Sequence, residues 1–331
     1  MPIHDTSYKH WDGVHLGIWE RRMVIASNGL SACLRNNWTR NYVVMCWILA
    51  LVMAATLFAV GQLLVHDSVV VQWVGNFNVD LQKFASMLTT WLEDHPEISV
   101  YTTQNLLFYY FCIYLLVISI FALGMTMPLL ITRDIASNAI IVYSSKAINR
   151  FDYLLGKFCT AFGMLTLTWL GPVCMAWLMG NMLAPNWKFF WHARAVLGHV
   201  LIFGLCSMTV LSLLALGISA ISVKEKSTTA LWYAWWIVGG VGATIVAQTK
   251  PWLQHLSFNY NLDQLALVIF HPGRDISTAK ESIPVLGMML TNIQADTMAK
   301  LDSPAIWGSL IGLAIMLGGV VWILIKRVRP E

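Results

Sequence analysis

Six stretches of the chain are apolar over long distances and contain no Asp, Glu, Lys or Arg. A helix needs about 20 apolar residues to cross a bilayer. The six stretches meet that length at 42–65, 106–132, 158–187, 195–223, 227–249 and 303–325. This pattern predicts an all-α fold, a polytopic membrane helix bundle with six transmembrane helices in one domain, 42–325.

Two further apolar segments, 264–270 and 282–295, are too short to span a bilayer. We expect them to pack outside the bundle, as surface or re-entrant segments. They belong to 250–302, the longer of two predicted outer segments. The other, 66–105, carries apolar residues at helical spacing over 79–92, which predicts a short helix on the outer face.

The N-terminal segment, 1–41, has a different pattern. Over 14–40, apolar side chains fall on one helical face and arginines on the other. That arrangement is typical of an amphipathic helix lying in the membrane interface. An ordinary solvated leader is the alternative.

Composition strengthens the membrane assignment and gives it a direction. Only 11% of the residues are charged and the mean hydropathy is +0.63, whereas soluble domains carry about 25% charged residues. A water-soluble enzyme is nearly excluded, and a net charge of +4 is too small for a nucleic-acid binder. Six spans place both termini on one side. If that side is the cytosol, it receives fourteen of the 21 lysines and arginines, as the positive-inside rule requires.

We therefore expect a multi-pass protein of the inner (cytoplasmic) membrane, in contact with its lipid, with both termini and the tail 326–331 in the cytosol.

Several chemistries lack their usual residues. No carboxylate lies in the six predicted spans, which argues against a proton-driven pump, although sodium sites made of carbonyls and hydroxyls stay open. His199 is the only histidine within a span, whereas membrane haems need paired histidines. No GxxxxGK[ST] phosphate loop occurs. We expect no catalytic residue, no metal site and no cofactor in the chain itself.

Small residues in the last span form a GxxxG pattern at Gly308 and Gly312. Such spacing lets another helix approach closely. We expect this pattern to serve packing within the bundle, and a contact between subunits is the alternative.

The segment between the second and third predicted spans, 133–157, carries the strongest functional signal. Polar and apolar residues alternate as in a short amphipathic helix on the inner membrane face. Ile140, Ile141 and Tyr143 are suited to fill an apolar cleft, with basic residues around its rim. A second protein could grip such a helix, or a basic loop could touch anionic lipid, and physical reasoning from the residues alone favours neither.

This segment resembles the permease subunits of type-2 ABC transporters, the exporter class. Its matching residues are Arg133-Asp134, Ser144-Ser145-Lys146, Arg150 and the run Asp152-Tyr153-Leu154-Leu155-Gly156-Lys157. Ser137-Asn138 stands where the family commonly has a Gly-Thr turn, and Ala147 where proline is usual, which indicates a divergent branch.

The resemblance implies a permease dimer, homo- or heteromeric, with two separate cytosolic ATPase subunits that bind ATP-Mg. The coupling segment, with Arg133 and Asp134, would dock on the ATPase. Ile140, Ile141 and Tyr143 would be its buried plug, and Lys146 and Arg150 its rim contacts. The chain itself would be no enzyme: it would couple ATP hydrolysis to export.

Two other classes of function stay open. One is a structural or force-transmitting membrane subunit that keeps the fold without transport. The other is an intramembrane enzyme or redox anchor, which the absent carboxylates and paired histidines oppose. The substrate cannot be read from the sequence.

Overall fold

The computed structural model describes residues 17–63, 96–139, 149–184, 187–246, 249–282, 298, 301 and 303–328. Within these residues the regular structure is entirely helical. The principal helices, numbered in chain order, are α1 (Ile18–Leu34), α2 (Asn37–Leu63), α3 (Pro96–Thr126), α4 (Thr132–Ala136), α5 (Arg150–Leu165), α6 (Gly171–Met182), α7 (Trp187–Ile221), α8 (Glu225–Val246), α9 (Phe258–Phe270), α10 (Pro272–Ser282) and α11 (Ile306–Arg327).

Short 3₁₀-helices, Met127–Leu129 and Pro251–Leu256, follow α3 and α8, and a π-helical turn, Thr166–Leu170, joins α5 to α6. Two prolines explain two of these irregularities. Pro128 lies within the 3₁₀-helix that ends α3. Pro172 has no N–H to donate to the Thr168 carbonyl, and the Ser119 hydroxyl donates to that oxygen instead, at 3.2 Å.

Five helical stretches of the described chain are long and apolar enough to cross a membrane: Asn37–Gln62, Ser99–Ala136, Arg150–Met182, Phe189–Ile221 and Ile306–Arg327. They coincide with five of the six predicted spans. The chain is thus a helical protein with the features of a multi-pass membrane protein.

The sixth predicted span, 227–249, forms helix α8, but this helix is not among the five. Its 22 residues provide enough length. It begins with charged and hydroxyl residues and continues with Trp, Tyr, Gly and Ala among Leu, Ile and Val.

The helices alternate in direction. One end of the bundle gathers the start of α5, α8 and the end of α7: Arg133, just after α3, contacts Glu225, and Thr132 contacts Ser219. We call it the α4 end. At the opposite end Gln104 on α3 and Asn181 on α6 exchange hydrogen bonds of 2.8 and 3.2 Å.

The expectation that 264–270 packs outside the bundle is wrong. This segment is the second half of α9, which lies among α3, α7, α8 and α11. Phe258, Leu262, Ala266 and Phe270 are all buried. The short 3₁₀-helix after α8 turns the chain back, so α9 re-enters the bundle beside α3, with Phe270 packed on Tyr109. The segment 282–295 and the predicted helix at 79–92 lie outside the described residues.

Helix α1 forms within the predicted interfacial segment and packs closely along α5. A side chain at Gly156 would place its Cβ 2.7 Å from Ile25, and one at Gly29 would collide with Thr160. The two glycines therefore permit this close approach.

Helix α3 begins at Pro96, ten residues before the start of the second predicted span.

Candidate functional site at the α4 end

The turn after α3 is fixed to α7 by one serine. The Ser219 hydroxyl accepts hydrogen bonds from the backbone N–H groups of Ile131 and Thr132, at 2.9 and 3.1 Å, and donates to the Met127 carbonyl at 2.8 Å. The Thr132 hydroxyl donates to the Ser219 carbonyl at 2.7 Å and contacts the Thr228 hydroxyl on α8 at 2.9 Å. These buried groups satisfy a break in the helical hydrogen bonding, which membranes tolerate only when it is so covered.

Asp134, on the short helix α4, is the centre of a partly buried ion pair. The Lys157 ammonium lies 2.7 Å from its carboxylate, and the Tyr153 hydroxyl donates to the same oxygen at 2.7 Å. Lys157 also donates to the Leu129 carbonyl at 3.3 Å. Both partners of the pair have side chains under 15% exposed (9% for Lys157 and 14% for Asp134). This cluster therefore joins α4 to the start of α5.

A second ion pair joins α1 to α5. Arg22 donates from Nε and Nη2 to one oxygen of Asp152, at 2.6 and 2.5 Å. The Arg22 guanidinium also lies over the Trp19 ring, 4.5 Å from its centroid. Cys33, further along α1, is fully buried, and burial raises the pKa of its thiol to about 11 despite the nearby Lys157. The thiol is therefore neutral and serves packing.

Arg133 and Arg150 extend the cluster to α8 and α11. Arg133 Nε donates to Glu225 at 3.0 Å, with both side chains more than half exposed. Arg150 donates to the Leu324 carbonyl near the end of α11. Side-chain contacts therefore connect α4 directly to α5, α7 and α8, and connect α5 to α1 and α11.

The structure brings three of the predicted coupling residues, Arg133, Asp134 and Arg150, to this end of the bundle. The other four, Ile140, Ile141, Tyr143 and Lys146, lie outside the described residues. The predicted packing glycines, Gly308 and Gly312, face His255 in the 3₁₀-helix after α8 and Asn261 on α9. Sequence reasoning did not assign Arg22, Ser219 or Glu225 to the site, because their partners are distant in sequence.

The opposite end holds a polar cavity of about 480 Å³. Asn105 connects two residues that line this cavity, Asp275 and His199. The side-chain amide of Asn105 donates to Asp275 and to the Phe270 carbonyl, and its side-chain oxygen lies 3.0 Å from His199 Nδ1. Burial raises the pKa of Asp275 to about 6, although the Asn105 hydrogen bond opposes the shift. No group of three or more His, Cys, Asp or Glu side chains in the part of the chain the structure describes is arranged to hold a metal ion.

No protein-family model matches the chain, and no curated protein matches its sequence.

Proposed function

We propose that the chain is the membrane permease subunit of an ABC exporter, which couples ATP hydrolysis by a separate cytosolic ATPase to movement of a substrate across the cell's inner membrane. The observation that supports this most directly is the Asp134 cluster. Asp134, Tyr153 and Lys157 belong to the motif that carries the family resemblance, and they meet in one ion pair although up to 23 positions separate them.

The proposed mechanism is mechanical. The segment that follows α4 docks on the ATPase, and Ile140, Ile141 and Tyr143 fill its cleft. When ATP closes the ATPase pair, the push reaches α4, and the contacts of Arg133, Asp134 and Thr132 pass it to the spanning helices. The chain makes no bond change and holds no cofactor; ATP-Mg belongs to the partner.

A purification from the native membrane tests the proposal. The tagged chain is solubilised in a mild detergent, and the proteins that co-purify are identified by mass spectrometry. We expect a stoichiometric partner with a Walker-type ATP site, together with a second permease chain. Reproducible recovery of other membrane subunits without any ATPase would reject the proposal and favour a structural subunit.

A double variant tests the docking segment. Replacing Ile141 and Tyr143 with Asp places two charges in the proposed plug, and desolvating them opposes docking. We expect loss of the ATPase from the purified complex with membrane insertion intact. The matched control is Trp252→Asp with Leu256→Asp, the same change at two exposed apolar residues far from α4, which should keep the ATPase. Unchanged association in the first variant would disprove the docking assignment.

A further inference from the structure

A groove of about 350 Å³ lies between α3, α8 and α9. Its walls are apolar, with Ile113, Leu116, Val117 and Ile120 from α3 and Ile237 and Val241 from α8. Val117, Ile237 and Val241 are 38%, 51% and 56% exposed, so the groove opens on the lateral surface of the bundle. Its position is the middle of a spanning helix, because Ile113–Ile120 is central in 99–136.

Asp263, on α9, supplies a carboxylate to this apolar groove. The six predicted spans contain no acidic residue, but the course of α9 places this one, an exposed residue, in a groove that the middle of α3 lines. Within the described residues, Asp263 has no hydrogen bond and no ion pair. The nearby Asn259 is bonded to the Trp236 carbonyl at 3.4 Å. An ionisable group in such a place is costly, and is kept where it serves a function.

We propose that this groove binds an amphiphilic organic cation, whose positive group pairs with Asp263 while its apolar part fills the space between α3 and α8. Charge complementarity selects the ligand. The described lining contains no Lys or Arg to receive the phosphate of a zwitterionic lipid. An inorganic cation needs several oxygen ligands, whereas Asp263 and Asn259 are the only side chains of the described lining with oxygen atoms.

The test measures binding of radiolabelled tetraphenylphosphonium, a rigid lipophilic cation, to the full chain in phosphatidylcholine nanodiscs. We expect saturable binding that Asp263→Asn weakens by about tenfold or more, because the charge pair is lost in a medium of low dielectric constant. Asp263→Glu should retain binding. Glu225→Gln, which removes an exposed carboxylate at the α4 end, is the matched control and should bind as the wild type does.

Two further arms separate the charge from the shape of the groove. Tetraphenylborate has the same shape and the opposite charge, and should not bind. Val117→Trp fills the groove with Asp263 intact and should weaken binding, whereas Tyr114→Trp, at a 68% exposed position outside the lining, should not. Equal affinity of the wild type and Asp263→Asn would overturn the proposal. So would displacement of the probe by added phosphatidylethanolamine, which would identify a zwitterionic lipid as the occupant.

This binding needs neither ATP nor a partner, so its outcome is independent of the exporter proposal. A chain that co-purifies with no ATPase could still bind the cation, and a coupled permease could fail to bind it.

Discussion

At the scale of single residues, the Asp134–Lys157 pair and the Arg133–Glu225 pair have the same charges in different surroundings. The first pair is nearly buried and is completed by Tyr153, whereas the second is more than half exposed on both sides. Removing one partner of a buried pair leaves an uncompensated charge, which costs far more than the pair contributes. Exposed pairs are screened by solvent and contribute little.

We therefore expect Asp134→Asn to lower the free energy of unfolding by about 3 kcal/mol, because the buried Lys157 ammonium loses its counter-charge. Arg133→Gln, the matched control, should cost less than about 1 kcal/mol. Denaturant unfolding in mixed micelles measures both. The combination of Asp134→Asn with Lys157→Met should recover most of the loss, and a double variant no more stable than Asp134→Asn would contradict this assignment.

The sequence motif identified Asp134 and Lys157 as members of one segment, but not as partners. The pairing depends on the reversal of the chain between α4 and α5, which places Asp134 beside the first two turns of α5. Ser219 and Thr228 carry no signal at all in the sequence. A hydroxyl in an apolar helix is equally suited to bond its own preceding turn, and only the broken end of α3 gives Ser219 its three partners.

At the scale of elements, α9 and α11 show what hydropathy can and cannot reveal. Length and apolar content identify α11 as a span, and its GxxxG spacing predicts a close neighbour. That neighbour is the 3₁₀-helix and α9, which the sequence assigns to an outer segment. The sequence does not reveal α9 as part of the bundle because this helix has only 13 residues, too few to span a membrane. Its burial depends on the helices that surround it.

The Gly312 contact gives a prediction for this packing. A Cβ at Gly312 would lie 2.6 Å from the His255 carbonyl oxygen, a backbone atom that cannot rotate away. We expect Gly312→Ala to destabilise the protein by about 1–3 kcal/mol through overpacking. Gly318 lies on the same helix with open space around it, so Gly318→Ala should be neutral or stabilise by up to about 1 kcal/mol. Thermal unfolding in detergent compares the two, and equal midpoints would refute the close packing.

At the scale of the whole molecule, contacts between the ends of helices show the path of the chain more directly than the hydropathy of each helix does. Arg22 on α1 pairs with Asp152, and Arg150 donates to the Leu324 carbonyl near the end of α11. The first and last described helices therefore meet at the α4 end. We therefore expect an even number of passes through the membrane, with α8 as the pass that is not among the five apolar stretches.

Topology labelling tests this path with single cysteines in a cysteine-free chain. Lys226→Cys and Lys326→Cys probe the α4 end, and Trp252→Cys, at a 63% exposed position, probes the far end of α8. We expect a membrane-impermeant maleimide to label the first two only in inverted vesicles and the third only in intact cells, because α8 carries the chain across and basic residues favour the cytosolic side. Labelling of Lys226→Cys and Trp252→Cys from the same side would show that α8 does not cross, and both termini would then lie on opposite sides of the membrane.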